Sequence, residues 1–250
     1  MTKSQYRNRI SAASVEKKSR IVLALDPAPS RVTDALVFAR RMIQTLQDQV
    51  CAIKVNFHMI LPLSGKELAE ISRLAHSSGL QCIADIKLND IDNTNEAVVE
   101  HLIGRMGFDA VIANPFIGGA AMKNLVGKAN DLGGGVIALV YMSHPGAVEG
   151  FGLKVAGGQE IYKLFYERAL KAGADGIVVG AGQLQVLKEI TASRSLPVYS
   201  PGIGAQGGDA ELAASSGADY LIVGRSIIEA RDPFAAARDL NKKISSAIRG

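Results

Sequence analysis

Cysteine is scarce in this chain: Cys51 and Cys82 are the only two among 250 residues. Two isolated thiols make neither a disulfide scaffold nor the clustered spacing of a zinc site. Both fall at the starts of predicted strands, where a buried thiol is expected, and this usage points to a reducing, cytoplasmic setting. Long apolar runs are also missing. No stretch approaches the ~18–20 uninterrupted apolar residues needed to span a bilayer, and the N-terminus lacks the apolar segment of a secretory signal, so no membrane association is expected. The first twenty residues are basic and contain serine, loosely like an organelle transit peptide, yet Glu16 and a helical pattern favour an arm packed on the domain. No linker, low-complexity tract or charge block divides the chain. The net charge of +4 is too small and too scattered to imply nucleic acid, and it suits an anionic small substrate.

What is present is a regular alternation. Short apolar runs at residues 21–25, 51–55, 81–87, 111–113, 136–140, 176–179, 198–200 and 220–223 read as strands. Between and after them, residues 32–47, 65–76, 92–106, 120–129, 161–171, 184–191, 210–216 and 233–248 carry helical spacing. Eight β-then-α units in one chain predict an α/β fold, a single (β/α)8 TIM barrel spanning residues 20–250, preceded by a short N-terminal extension over residues 1–19. The alternative is an open doubly wound sheet. Residues 143–158 form a long, glycine-rich connection and read as a functional loop.

Asp85 and Lys87 lie two residues apart on the third strand and therefore share a face, with Asp90 on the loop beyond. Alone, the three allow a structural ion pair at a barrel rim as readily as a site. In such barrels, however, the C-terminal strand ends form the active face. Asp26, Lys54, Asp85 and Lys87 all fall at those ends, and Ser143, Pro201 and Arg225 follow strands five, seven and eight. Loops seven and eight, residues 200–209 and Gly224-Arg225-Ser226, are glycine-rich, and Arg225 can bind a phosphate bidentately. Those two loops are the usual phosphate site of the fold. Gln206 lies on a loop able to close over a ligand.

Together these residues resemble the orotidine 5'-phosphate decarboxylase family over nearly the whole chain after about Arg20. The strongest part is Asp85-x-Lys87-x-x-Asp90-Ile91 with Asn93-Thr94-Asn95; Leu25-Asp26, Ile53-Lys54, Met142-Ser143-His144-Pro145-Gly146 and residues 201–208 support it. The resemblance implies decarboxylation of orotidine 5'-phosphate to uridine 5'-phosphate in pyrimidine biosynthesis, with no cofactor and no metal. It implies Lys87 as proton donor to C6, Asp85 against the departing carboxylate, and Lys54 and Asp90 completing an alternating set of charges. Asp26 and Lys54 would reach the ribose, Ser143 the pyrimidine edge, and Pro201, Gln206, Gly224 and Arg225 would lie around the nucleotide and its phosphate. Ile112, Leu139 and Val179 match apolar positions near the leaving group. Asp90, Ile91 and Thr94 would enter the site of a second copy, making a homodimer with shared active sites. The chemistry is coherent, because an ammonium fixed beside a carbon that gains an electron pair stabilises and then protonates it.

Three rivals share the fold, of which phosphate-binding isomerases give no reason for the alternating Lys and Asp residues. Metal-dependent phosphosugar decarboxylases of the same superfamily place an acid near the end of strand two, where this chain has Lys54, which would repel a divalent cation. A catalytically silent phosphate-binding barrel would be expected to lose Asp85 or Lys87. His58, His76, His101 and His144 read as structural, surface or loop-shaping residues, and Asp92 and Asp109 as a helix-start and a strand-start residue.

Overall fold

The computed structural model describes residues 5–27, 34–193 and 195–249. Among them, eight parallel strands close in chain order: β1 (Ile21–Leu25), β2 (Ala52–Asn56), β3 (Gln81–Leu88), β4 (Ala110–Ala113), β5 (Gly135–Tyr141), β6 (Gly176–Val179), β7 (Val198–Pro201) and β8 (Tyr220–Val223), with β8 pairing back to β1. The barrel is therefore closed, and the open-sheet alternative is overturned. The helices are α1 (Gln5–Glu16), α2 (Ala35–Leu46), α3 (Phe57–Ile60), α4 (Gly65–Ser77), α5 (Asp92–Val99), α6 (Gly119–Asp131), α7 (Val148–Phe151), α8 (Ile161–Ala172), α9 (Leu184–Thr191), α10 (Ala210–Ser215), α11 (Arg225–Ile228) and α12 (Pro233–Arg249).

Local chemistry sets the helix starts. Asp34 accepts from Val37 N at 2.9 Å to cap α2; the first residues of the helix expected over 32–47, Val32 and Thr33, lie outside the described residues. Ser64 and Glu67 form a capping box on α4, and Asp209 caps α10. Asp92 is not itself a cap. It occupies the first turn of α5, behind Ile91, where a carboxylate suits the helix dipole. The connection over residues 143–158 is more ordered than its glycines suggest: Pro145–Ala147 makes a 3-10 turn, α7 follows, and Phe151 packs on Tyr141 with ring centroids 5.6 Å apart.

Strand alternation divides the core in two. Ile21, Leu23 and Leu25 pack outward beneath the helices, whereas Val22 and Ala24 face the barrel interior with Ile83, Ile112, Ile137, Leu139, Val178 and Ile222. The N-terminal end of this interior is plugged by α1, whose Tyr6, Ile10 and Ala13 join the same cluster. Tyr6 Oη lies 3.1 Å from Tyr199 Oη, and the Tyr199 ring stacks on Tyr220 at 4.7 Å. A Cβ at position 135 would come within 2.7 Å of the Tyr6 ring, so glycine there admits the plug. Arg7 adds hydrogen bonds to the carbonyls of Ala174 and Asp175.

A polar network ties α1 to two strands and α4. Buried Asp109 accepts from Cys82 N at 2.8 Å, pairs with Arg9 Nη2 at 3.1 Å, and meets His76 Nε2 at 2.8 Å. Asp109 and His76 thus do more than begin a strand and cover a surface. The hydrogen bond to Asp109 raises the His76 pKa above its ordinary value, outweighing burial. A raised folded-state pKa gives stability that is fully present below the unfolded value of ~6.5 and is lost as pH rises through the folded one. Urea midpoints followed upward from pH 6 should therefore decline through that window. His76→Phe should flatten this segment of the curve.

Candidate active site

The interior-facing alternation continues upward to the C-terminal mouth, where apolar residues give way to charged ones. On β1 the face that carries Val22 and Ala24 presents Asp26 next; on β2 Ala52 is followed by Lys54 and Asn56; on β3 Ile83 is followed by Asp85 and Lys87. One cavity at the mouth is lined by all five of these polar residues, with Ile112, Leu139 and Val178 as its apolar floor. Val178, and not the expected Val179, faces this cavity. Strand β6 turns position 178 inward and packs Val179 under the helices.

Asp85 lies between two ammonium groups. Lys54 Nζ donates to Oδ2 at 2.6 Å, and Lys87 Nζ donates to Oδ1 at 2.8 Å. Lys54 and Asp85 are buried, whereas the Lys87 side chain is 43% exposed and reaches into the open cavity. Burial pulls the Lys54 pKa below its ordinary value, against the opposing pull of Asp85. Burial alone would raise the Asp85 pKa, but Lys54 and Lys87 outweigh it and the carboxylate is held below its usual value. Both charges are therefore kept by each other's presence. Lys87 has left-handed backbone, φ +48°, where β3 leaves its register with β4. A non-glycine residue held there costs about 1–3 kcal/mol, which the Asp85 bond and the buried Leu88 offset.

One cavity residue and one contact to a cavity residue escaped the sequence reading. Asn56 accepts from Lys54 Nζ and lines the cavity; its position two residues past Lys54, on the same face, was the available signal. His58, on α3, places Nε2 3.4 Å from Asp26 Oδ1, a contact between two loops that no local spacing encodes.

The opposite wall comes from loops five, seven and eight. Ser143, Pro201, Gly202, Ala205, Gln206, Gly224 and Arg225 all line the cavity. The seventh loop closes on itself through Gly208 N to Gly202 O (3.0 Å) and Gly204 N to Gly208 O (2.8 Å). Gly202 has φ +95°, and a Cβ there would come within 2.8 Å of the Ser143 Cβ and 2.9 Å of Gln206 Oε1. Glycine at 202 is what allows loops five and seven to meet. Asp90, Ile91 and Thr94 are absent from the lining. The Asp90 carboxylate accepts from Ile91 N at 2.7 Å, and Ile91 is 71% exposed.

Among the described residues, no cluster of three or more His, Cys, Asp or Glu is grouped to hold a metal ion, and no helix is long and apolar enough to cross a membrane.

A family model described as orotidine 5'-phosphate decarboxylase / HUMPS family matches residues 19–240. The chain belongs to this family. It is 35% identical over 228 residues to the orotidine 5'-phosphate decarboxylase of Methanococcoides burtonii, covering 90% of this chain and 97% of that one. The Methanosarcina mazei protein of the same name is 34% identical, covering 94% of this chain and 100% of that one. Among solved structures, the orotidine 5'-monophosphate decarboxylase of Methanocaldococcus jannaschii, complexed with the inhibitor BMP, superposes with a TM-score of 0.77 at 32% identity, over 90% of this chain and 98% of that one.

The two lysines should differ in their structural weight. Lys54→Met leaves buried Asp85 with one cation and should destabilise the fold by about 3 kcal/mol. Lys87→Met, at a half-exposed position, should cost under about 1 kcal/mol. Urea unfolding of the two variants beside the parent measures the contrast.

Proposed function

We propose that this chain decarboxylates orotidine 5'-phosphate, releasing CO2 and uridine 5'-phosphate in pyrimidine biosynthesis, without metal or cofactor. The observation that carries this reading is the Lys54–Asp85–Lys87 run facing a glycine-rich, arginine-bearing wall across one cavity. The named relatives support the same substrate.

In this reading the phosphate lies against Gln206, Arg225 and the Gly224 backbone, the ribose near Asp26 and Lys54, and the pyrimidine edge at Ser143. The carboxylate leaves past Asp85 and the apolar floor. The C6–carboxylate bond breaks, its electron pair stays on C6, and a Lys87 N–H proton then forms the new C6–H bond. Lys87 is left as a neutral amine and regains its proton from solvent. An ammonium already in place stabilises the developing charge without reorganising. Phosphate binding is remote from the bond that breaks, so its energy can order the loops around the ring.

The site is completed by a second copy. Asp90, Ile91 and Thr94 stand outside the cavity of their own chain, and Phe57, Leu61, Ile91 and Phe116 expose apolar surface along three successive mouth loops. An apolar strip of that kind suits a protein interface. A cytoplasmic enzyme fits the two free, buried thiols, of which Cys51 has its pKa pushed up to about 12 by burial.

Loss of orotidine 5'-phosphate followed at its ultraviolet band is the direct test. The parent should turn over equally with and without EDTA, and full loss on chelation would favour a metal-dependent phosphosugar chemistry. Lys87→Ala should lose turnover by a factor of at least about 10⁴ while still binding uridine 5'-phosphate; near-normal rates from that variant would defeat the mechanism. For the shared site, Lys87→Ala and Asp90→Ala are each expected to be inactive as homodimers. Mixing them after subunit exchange should restore activity, because one site of the hybrid is then intact.

A further inference from the structure

Asp90 can serve a neighbouring site only if its loop is held in one place, and a single side chain holds its main chain at both polar groups. Asn95 donates from Nδ2 to Asp90 O at 2.6 Å and accepts at Oδ1 from Asp90 N at 3.2 Å. A planar amide paired with both the N–H and the C=O of one residue fixes the position and the tilt of that residue's backbone. The Asp90 carboxylate is in turn aimed by its bond from Ile91 N. Asn95 N bonds Ile91 O at 3.0 Å in the first turn of α5, so loop and helix are locked as one piece.

The burial of Asn95 argues that these bonds are its purpose. Asn95 and Val99 form the buried stripe of α5, and Asn95 is only 1% exposed. An apolar residue would serve packing alone at such a position, since a buried amide costs free energy unless its groups are paired. Here both are paired, and both partners belong to the one residue that the shared-site reading assigns to the reaction.

We infer that Asn95 is a positioning residue: it acts through the backbone of Asp90, setting where that carboxylate is presented to the adjoining subunit's substrate, and touches no substrate itself. This rests on the shared-site reading above. A shift of the carboxylate by about an ångström lowers turnover steeply, so Asn95→Ala should lose about ten- to a hundredfold in kcat, with a smaller change in KM and a retained cooperative melt. The defect should lie in the site that receives the loop. Asn95→Ala mixed with Lys87→Ala should therefore regain activity, since a hybrid pairs the sound loop of the Lys87→Ala chain with the intact lysine of the other.

Full kcat in Asn95→Ala would overturn the inference. So would failure of this mixture to recover while Asp90→Ala with Lys87→Ala does recover. If neither mixture recovers, and Asp90→Ala alone turns over normally, the shared-site reading has failed instead. Should Asn95→Ala not fold, Asn95→Ser is read the same way; if neither variant folds, the amide is a folding element and the inference is lost.

Discussion

Asp85 is buried only because two ammonium groups accept it, and Lys54 is buried only because Asp85 is there. A carboxylate taken from water without partners would be protonated or would unfold its surroundings. Bonded to Lys54 at 2.6 Å and to Lys87 at 2.8 Å, it stays ionised inside the barrel mouth. The rest of the site is arranged around that fact. One lysine is buried and holds the acid; the other is left half-exposed at the open cavity. The cost of the arrangement is visible in the left-handed backbone of Lys87.

That charge run stands on an apolar stack. Tyr6, Tyr199 and Tyr220 fill the bottom of the barrel, aliphatic side chains fill its middle, and ionised groups occupy the top. The order follows from solvent access. The bottom is sealed by α1, and burial raises the pKa of both Tyr6 and Tyr199 well above the ordinary phenol value. The top is open to water and to an anionic ligand, so charge is tolerated there.

Much of this was legible along the chain. Period-two alternation placed Asp85 beside Lys87, and a closed barrel of eight strands follows from the eightfold repeat of β and α segments. Strand six ran from Gly176 to Val179 as expected, yet the inward residue was Val178 and not Val179. On a four-residue strand buried on both faces, an unbroken apolar run carries no mark of which face is which. The Asn56 bond to Lys54 was within reach of the same alternation rule. The pairing of His58 with Asp26, of His76 with Asp109, and of Tyr6 with Tyr199 was not, because each joins segments distant in sequence.

Residue order alone therefore decided which chemistry is possible: two acids and two lysines at strand ends, with glycine and arginine where a phosphate can be met. These are local facts, set by the pleat of a strand and the steric freedom of a glycine. Tertiary structure decided which of those groups share a cavity and which do not. Pairing of β2 with β3 brought Lys54 onto Asp85 across 31 residues, docking of α1 covered the opposite end, and Asp90 was left outside the cavity of its own chain. Such outcomes depend on how strands register and where helices dock, and that is settled only when the whole core packs at once.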